Sequence, residues 1–377
     1  MKEYIALKIR IKPTKEQQVI INKTFGCVRS VYNKLLEIEK TTGKVESYTI
    51  CFDIEKPWLK EVDTSSYANA VVNLKSAITN HKKNPSHYGE PQYKSKHAKV
   101  QSYTTSVTNN NSRIIDKKHI RIPKIGVIKA KIHRDIKEEY KLKKVTIEKD
   151  VDGKYYAVLL FELPLISVEN QTDKEITKVL SIDFSLEHLG VLSSGEVLDY
   201  PKFYRSKLNK LKELSRRLSL CTPKSNNWYK RKSDIARVYV EIKNARNDYL
   251  NKLAKRLADN NDIVAIETLD LQEMSKHNHF GKSIYDDSYG TFIRKLDYKL
   301  RKQGKKLIKV DKYYPSSKKC SICGKVKEKL ELNERTYSCE CGSVMDRDYN
   351  AATNIGIEGM RILFEEEQNK KLAMIAN

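Results

Sequence analysis

Three acidic residues lie at positions where their carboxylates could bind a divalent metal ion. Asp183 lies within an apolar strand pattern, Glu267 ends another, and Asp348 comes just before a predicted helix. An ionised carboxylate at the end of a buried strand costs free energy unless a partner compensates it, and a divalent cation is the usual partner. Two Mg²⁺ ions held by shared carboxylates can hydrolyse a phosphodiester. Most single acidic residues only cap helices or face solvent. The prediction therefore depends on all three acids occurring together, two in strands and the third before a helix.

Four cysteines form a second pattern, in which Cys320 and Cys323 precede Cys339 and Cys341 by fifteen residues. Zn²⁺ takes four tetrahedral ligands, and two short cysteine pairs on facing turns supply them. A glycine follows the second cysteine of each pair and suits a tight turn. Because four thiolates leave no open coordination position, we expect one structural zinc ion.

The charge of the chain predicts its partner. Its 377 residues include 72 Lys and Arg against 48 Asp and Glu, a net charge of +24. Such an excess on a folded protein most simply indicates a polyanion. A membrane surface is the rival, but the apolar runs are too short to span one. The alternating start predicts a strand instead of a signal peptide. We therefore expect nucleic acid and no membrane. The seven cysteines, four of them clustered, do not suggest a disulfide framework, so we also expect a reducing bacterial-type cytoplasm and association with the nucleoid.

The elements that must position these residues fall into two parts. Residues 1–176 are predicted to bind nucleic acid, with period-2 segments at 1–12 and 115–176 forming a β-barrel or sheet. A helical insert at 13–114 interrupts it, and a linker follows at 167–176. Residues 177–377 form the predicted α/β nuclease part, with the cysteine ribbon at 315–343.

Two long amphipathic helices are predicted at 203–219 and 228–258 within the nuclease part. From Lys202 to Arg256 there are 17 Lys and Arg against 4 Asp and Glu. Charge runs usually form a solvated face, but this one-signed excess favours a surface that contacts phosphates. The candidate residues are Arg216, Arg217, Lys230 and Arg231.

A further helix is predicted at about 67–81. It carries Asn69 and Asn73, whose amides could pair with adenine in a duplex. Polar residues on an amphipathic helix more often only face water, so this assignment depends on the position of the helix in the fold.

These motifs together resemble the TnpB family, the insertion-sequence-encoded RNA-guided nucleases related to type V CRISPR effectors. The matching segments follow one another along the chain: Pro13–Gln17, Phe25–Asn33, Pro91–Lys96, Ile122–Gly126, Ser181–Asp183, Ile266–Glu267, Tyr314–Gly324 and Asp346–Ile355. The ribbon followed by Asp-Arg-Asp-Tyr-Asn-Ala-Ala is the most specific of them.

The resemblance implies an RNase H-like (RuvC) nuclease domain with an inserted zinc ribbon, and an N-terminal wedge barrel interrupted by a helical recognition insert. It implies a guide RNA from the transposon end, double-stranded target DNA with an adjacent motif, and one chain per guide RNA. The metal-binding acids would be Asp183, Glu267 and Asp348, with Asp346 the alternative to the last. One departure is Phe184-Ser185, where the family has Leu-Gly or Val-Gly.

Three other functions fit parts of the sequence. A nuclease-silent RNA-guided repressor shares every feature except a need for the carboxylates. A recombining transposase would need an end-binding domain, for which the sequence gives no signal. A zinc-ribbon transcription factor explains the ribbon and the charge but leaves the buried acids unexplained.

Overall fold

The computed structural model describes residues 4–52, 57–96, 98, 100–164, 178–185, 187–269, 288–331 and 334–375. The predicted linker at 167–176 lies outside them. The chain divides into two compact units, residues 1–169 and residues 170–377.

The first unit opens with the predicted strand β1 (Tyr4–Lys12) and helix α1 (Lys15–Thr42). Thr14 begins the helix through a reciprocal cap. Its hydroxyl accepts from the Gln17 amide at 3.3 Å, and the Gln17 side chain accepts from the Thr14 amide at 3.0 Å. The cap satisfies amide groups that a helix start leaves without partners. Helix α2 (Ser65–Lys83) contains the predicted helix and packs against α1.

A seven-stranded antiparallel sheet carries the core of this unit, in the order β2-β6-β7-β1-β5-β4-β3. Its further strands are β2 (Gln101–Ser106), β3 (Arg113–Asp116), β4 (His119–Ile122), β5 (Gly126–Lys131), β6 (Lys141–Lys149) and β7 (Tyr155–Glu162). Strand β2 falls within the stretch that the sequence assigned to the helical insert. Its residues are mostly polar, but Tyr103 and Thr105 alternate inward and are buried.

The second unit is built on a five-stranded mixed sheet in the order β10-β9-β8-β11-β12. Its strands are β8 (Val179–Asp183), β9 (Gly190–Leu192), β10 (Val197–Leu198), β11 (Ile263–Glu267) and β12 (Lys306–Val310). Strands β8, β11 and β12 run parallel. Because both faces of the central strand are covered, β11 is an uninterrupted apolar run up to its final glutamate.

Helices cover both faces of this sheet: α3 (Phe203–Ser219), α4 (Asn226–Asn260), α5 (Tyr289–Lys302) and α6 (Arg347–Ile375). Helix α5 and the C-terminal half of α4 pack on one face of the sheet. Helix α6 packs on the other face. Helix α3 packs on the first half of α4 through Leu211, Val238 and Ile242. The two predicted basic helices are confirmed as α3 and α4. No helix in the described ranges is long and apolar enough to cross a membrane.

Candidate functional site

The sheet of the second unit brings two of the three predicted acids to one edge. Asp183 is the last residue of β8 and Glu267 is the last residue of β11. The two strands are parallel neighbours, with Ile182 opposite Ile266, so their carboxyl ends coincide. The third acid, Asp348, lies in the first turn of α6, which packs against β8. The sequence placed Asp348 before this helix, whereas the helix already begins at Arg347.

The pKa of Asp183 is affected by its burial and by the charges of the other two acids. Desolvation raises the pKa of Asp183 well above its usual range, and the negative charges of Glu267 and then Asp348 raise it further. Desolvation also raises the pKa of Glu267, to about 7. Carboxylates crowded in a buried place resist ionisation unless a cation joins them. The donor set, all carboxylate oxygen, is the one that Mg²⁺ prefers.

Asp346 and Asp348 are two residues apart but make different contacts. One oxygen of Asp346 accepts hydrogen bonds from the amides of Asp348 and Tyr349, each at 2.9 Å, and so caps α6. The Asp348 carboxylate instead meets two guanidinium groups. Arg347 Nε donates to it at 3.1 Å, and an Arg335 nitrogen lies 3.6 Å away.

Helix α6 lies unusually close to the sheet beside the acids. The Ser181 hydroxyl, two residues before Asp183, donates to the Ala352 carbonyl of α6 at 2.6 Å. A Cβ at Gly356 would lie 2.6 Å from that hydroxyl, and a Cβ at Gly359 would lie 2.6 Å from the Ala265 methyl. The two glycines therefore let α6 approach β8 and β11. The sequence analysis did not identify this contact. The signal for it was the pair of glycines three positions apart on one face of the helix, which allows close packing.

The four predicted cysteines come together as one cluster. Their sulfur atoms all lie within 4.8 Å of one another, with Cys320 3.8 Å from Cys341 and Cys323 3.6 Å from Cys339. A tetrahedron of sulfurs about 2.3 Å from a zinc ion has edges of about 3.8 Å, so the cluster fits zinc. Gly324 and Gly342 both have positive φ, 78° and 91°, as tight turns after the second cysteines require. The Ser343 hydroxyl lies 3.2 Å from Cys341 and lowers the pKa of its thiol.

Two buried asparagines of α6 fasten the cysteine ribbon to the helix that carries Asp348. Asn350 donates to the Lys319 carbonyl at 2.8 Å and accepts from the Ser321 amide at 3.0 Å. Asn354 donates to the carbonyls of Ser316 at 2.8 Å and Lys319 at 2.6 Å. Asn350 is 0% exposed and Asn354 is 1% exposed. The resemblance drew attention to this segment but gave these asparagines no role.

The predicted phosphate-contacting residues lie on α3 and α4 in two environments. Arg217 pairs with Glu213, and Arg231 lies 3.5 Å from Asp234. Arg216 and Lys230 are exposed, and within the described ranges their side chains have no ion pair.

The predicted base-reading asparagines of α2 also differ. Asn73 is exposed. Asn69 is only 6% exposed, and its amide donates to the Ser65 carbonyl and the Ser106 hydroxyl, both at 3.0 Å. Asn69 therefore joins α2 to β2 and does not lie on an exposed face as the sequence predicted.

Comparison with known families identifies three regions of the chain. The profile described as "Probable transposase" matches residues 159–278, and "Cas12f1-like, TNB domain" matches residues 289–355. A profile described as "Helix-turn-helix domain" matches residues 1–44, where the described structure has a strand and one long helix.

Whole-chain relatives decide the family. A protein of Streptomyces pristinaespiralis named "Putative RNA-guided DNA endonuclease" is 32% identical over 370 residues, 94% of this chain and 89% of the relative. TnpB-like protein L770 of Acanthamoeba polyphaga mimivirus is 26% identical over 407 residues, 96% of this chain and 74% of the relative. The chain belongs to the TnpB family.

A solved structure supports the same fold for this TnpB family member. The Cas12f1 chain in the "Cryo-EM structure of the Cas12f1-sgRNA-target DNA complex" matches with a TM-score of 0.58 at 14% identity. The match covers 94% of this chain and 99% of that one. The mixed α/β fold is therefore shared with Cas12f1.

The departure from the family pattern after Asp183 has a local explanation. The Phe184 ring packs edge-on against Tyr289 and Phe292 of α5, with ring centroids 5.4 and 6.3 Å apart. The Tyr289 hydroxyl also donates to the Ser185 carbonyl at 2.5 Å. Helix α5 thus holds the two residues that directly follow Asp183 in place.

Proposed function

We propose that this protein is an RNA-guided DNA endonuclease that hydrolyses phosphodiester bonds at the edge formed by Asp183, Glu267 and Asp348. Asp183 and Glu267 end two neighbouring parallel strands, and Asp348 lies on the helix that packs against β8; this arrangement carries the proposal. A guided binder without nuclease activity has no need to place these partly buried carboxyl groups together at one edge of the sheet. The relatives' names support the same function.

The three carboxylates would hold two Mg²⁺ ions, and the four cysteines would hold one structural Zn²⁺ ion. When bound, the magnesium ions supply an activated water and stabilise the leaving oxygen of the phosphodiester. Glu267 must release its proton to serve as a ligand, because its pKa is about 7. Arg335 and Arg347 orient the Asp348 carboxylate. Asp346 caps the helix and stays outside the metal site.

The two units would then divide the work of guided cleavage. Residues 1–176 would form the wedge and recognition insert, although the sheet also draws β2 from within the insert. Residues 177–377 would form the RuvC-like nuclease domain, with α3 and α4 facing phosphates. The partners would be a guide RNA from the transposon end, one per chain, and double-stranded DNA beside a short motif. Guided nucleases of this kind leave most sequence recognition to base pairing. We place the protein with the bacterial nucleoid, where its target lies.

The test begins with protein purified from cells that express its own locus, followed by sequencing of the RNA that copurifies. That RNA, reprogrammed to a plasmid, should direct cleavage in Mg²⁺. The Asp183→Ala variant should retain guided binding in a gel-shift assay and give no cleaved product. Cleavage by this variant at the wild-type rate would refute the site. Guided binding by wild-type protein without cleavage would favour the silent repressor.

A further inference from the structure

A cavity of about 670 Å³ opens on one face of α1. Cationic, polar and aromatic side chains line it together with a helix glycine; those used below are Gly26, Arg29, Ser30, Glu37, Trp58 and Tyr93. All of them belong to the first unit. None of them entered the candidate sites described above.

Arg29 is the unbalanced charge of this cavity. The other two cations of the wall have acidic partners: Lys23 pairs with Glu61, and Lys34 lies 3.2 Å from Glu37. Arg29 is half-buried, and within the described part of the chain its side chain has no hydrogen bond or ion pair. A guanidinium partly withdrawn from water favours an anion that can accept several of its hydrogen bonds, and phosphate does so bidentately.

Gly26 lies in the interior of α1, where glycine destabilises a helix relative to alanine. Among the described residues, no neighbouring atom requires a glycine there. A Cβ at this position would meet only the Arg29 guanidinium within that part of the chain, at 4.0 Å. The missing side chain instead leaves the helix backbone open to close approach from the cavity.

Two aromatic rings complete the wall. Tyr93 is 52% exposed and Trp58 is half-buried. Asn33 of α1 fixes the segment that carries Tyr93, because its amide donates to the Lys94 carbonyl at 3.0 Å and accepts from the Lys94 amide at 2.8 Å. An aromatic ring beside a cation is a common platform for an unstacked base, and here Tyr93 stands on a fixed segment.

We propose that this cavity binds one nucleotide of the guide RNA. Its phosphate contacts Arg29, its ribose approaches the helix at Gly26, and its base stacks on Tyr93 or Trp58. RNA is favoured over DNA because Ser30 and Glu37 offer acceptors for a ribose 2′-hydroxyl, a donor that DNA lacks. The inference rests on the proposed function, since it requires a bound guide RNA.

The test uses a labelled synthetic copy of the copurified RNA and a DNA of the same sequence. Arg29→Ala and Gly26→Ala should each weaken RNA binding by about tenfold. Gly26→Ala should do so with an unchanged or higher melting temperature, since alanine stabilises the helix. Lys15→Ala removes a charge from α1 outside the cavity and should stay within about twofold of wild type.

RNA affinity within about twofold of wild type in both cavity variants would overturn the inference while leaving the proposed function intact. Equal weakening for RNA and DNA would overturn the preference for RNA. Unchanged RNA binding with weaker capture of target DNA by the RNA-loaded protein would assign the cavity to DNA. Wild-type protein that copurifies with no RNA would refute the proposed function itself.

Discussion

One oxygen of the Asp346 carboxylate lies 2.9 Å from the backbone nitrogen of Asp348 and accepts its hydrogen bond. The first acid of the pair thus fixes the turn on which the second is mounted. Asp348 contacts Arg335 and Arg347 and adds negative charge around Asp183. The resemblance favours Asp348 over Asp346 as the metal ligand, and the two acids make different contacts in the structure.

Substitution by asparagine separates these tasks. Asn caps a helix about as well as Asp, so Asp346→Asn should keep both stability and cleavage. Asp348→Asn should lower the cleavage rate by about a hundredfold or more, because an amide is a poor ligand for a hard cation that must be neutralised. Cleavage of a guide-matched plasmid in Mg²⁺ measures both variants. Loss of cleavage in Asp346→Asn with activity retained in Asp348→Asn would exchange the two roles.

The raised pKa of Glu267 predicts how stability depends on pH without Mg²⁺. The folded protein binds this proton more tightly than the unfolded chain, with a pKa of about 7 instead of 4.5. The stabilisation is complete below the unfolded pKa and is lost as pH rises through the folded one. The loss amounts to about 3 kcal/mol for this shift. Urea unfolding of zinc-loaded protein should therefore show stability falling between about pH 5 and pH 8.

The Glu267→Gln variant is the matched control, because it cannot titrate at this position. Its stability should fall less over the same pH interval than that of wild type. Addition of Mg²⁺ at the upper end should stabilise wild type and leave the variant nearly unchanged. Parallel pH curves for the two proteins would show that Glu267 ionises as an ordinary surface acid.

Zinc content and the asparagine contacts can be tested apart. Elemental analysis should find about one zinc ion per chain, and Cys320→Ser should lose it together with the fold of the ribbon. Asn354→Ala should keep zinc but lower the free energy of unfolding by about 1–3 kcal/mol, because the Ser316 carbonyl loses its donor and the Lys319 carbonyl keeps only that of Asn350. We expect slower cleavage in both variants, with RNA affinity retained in Asn354→Ala. A zinc-free preparation that cleaves at full rate would contradict the structural role of zinc.

The basic helices offer an internal comparison. Replacing Arg216 and Lys230 with alanine removes two exposed cations that have no ion pair among the described residues. Nucleic-acid affinity should fall, and the slope of log affinity against log salt should become shallower by about 2. Replacing Arg217 and Arg231, which are already paired with acids, removes the same charge and should have a smaller effect. If the two double substitutions change nucleic-acid affinity equally, or not at all, α3 and α4 form an ordinary solvated surface.

The features that could be predicted from the sequence are those that depend on hydrophobic periodicity or on the spacing of residues along the chain. The strands that end in Asp183 and Glu267 are apolar runs, and the paired cysteines are typical of a tetrahedral metal site. Short segments of sequence were therefore enough to predict both features. Helices α3 and α4 have clear apolar stripes and were predicted within two residues at their ends.

The contacts that depend on distant partners could not be predicted in this way. Asn69 looks like a solvent-facing polar residue until β2 supplies Ser106 as its partner. The alternation of β2 was hidden because polar residues fill its inward positions as well. Asn350 and Asn354 have the spacing of a helix face, but only the folded ribbon shows which carbonyls they meet.

The close contact of α6 with the sheet affects how relatives of this chain should be judged. One added methyl group at Gly356 would meet the Ser181 hydroxyl, which lies next to the strand end that carries Asp183. Such a change would displace the helix of Asp348 while every acidic residue stayed in the sequence. A family member can therefore become a silent binder with an intact set of acids. An inventory of carboxylates is insufficient to sort working nucleases from inactive ones, and the small residues at positions 356 and 359 belong in that test.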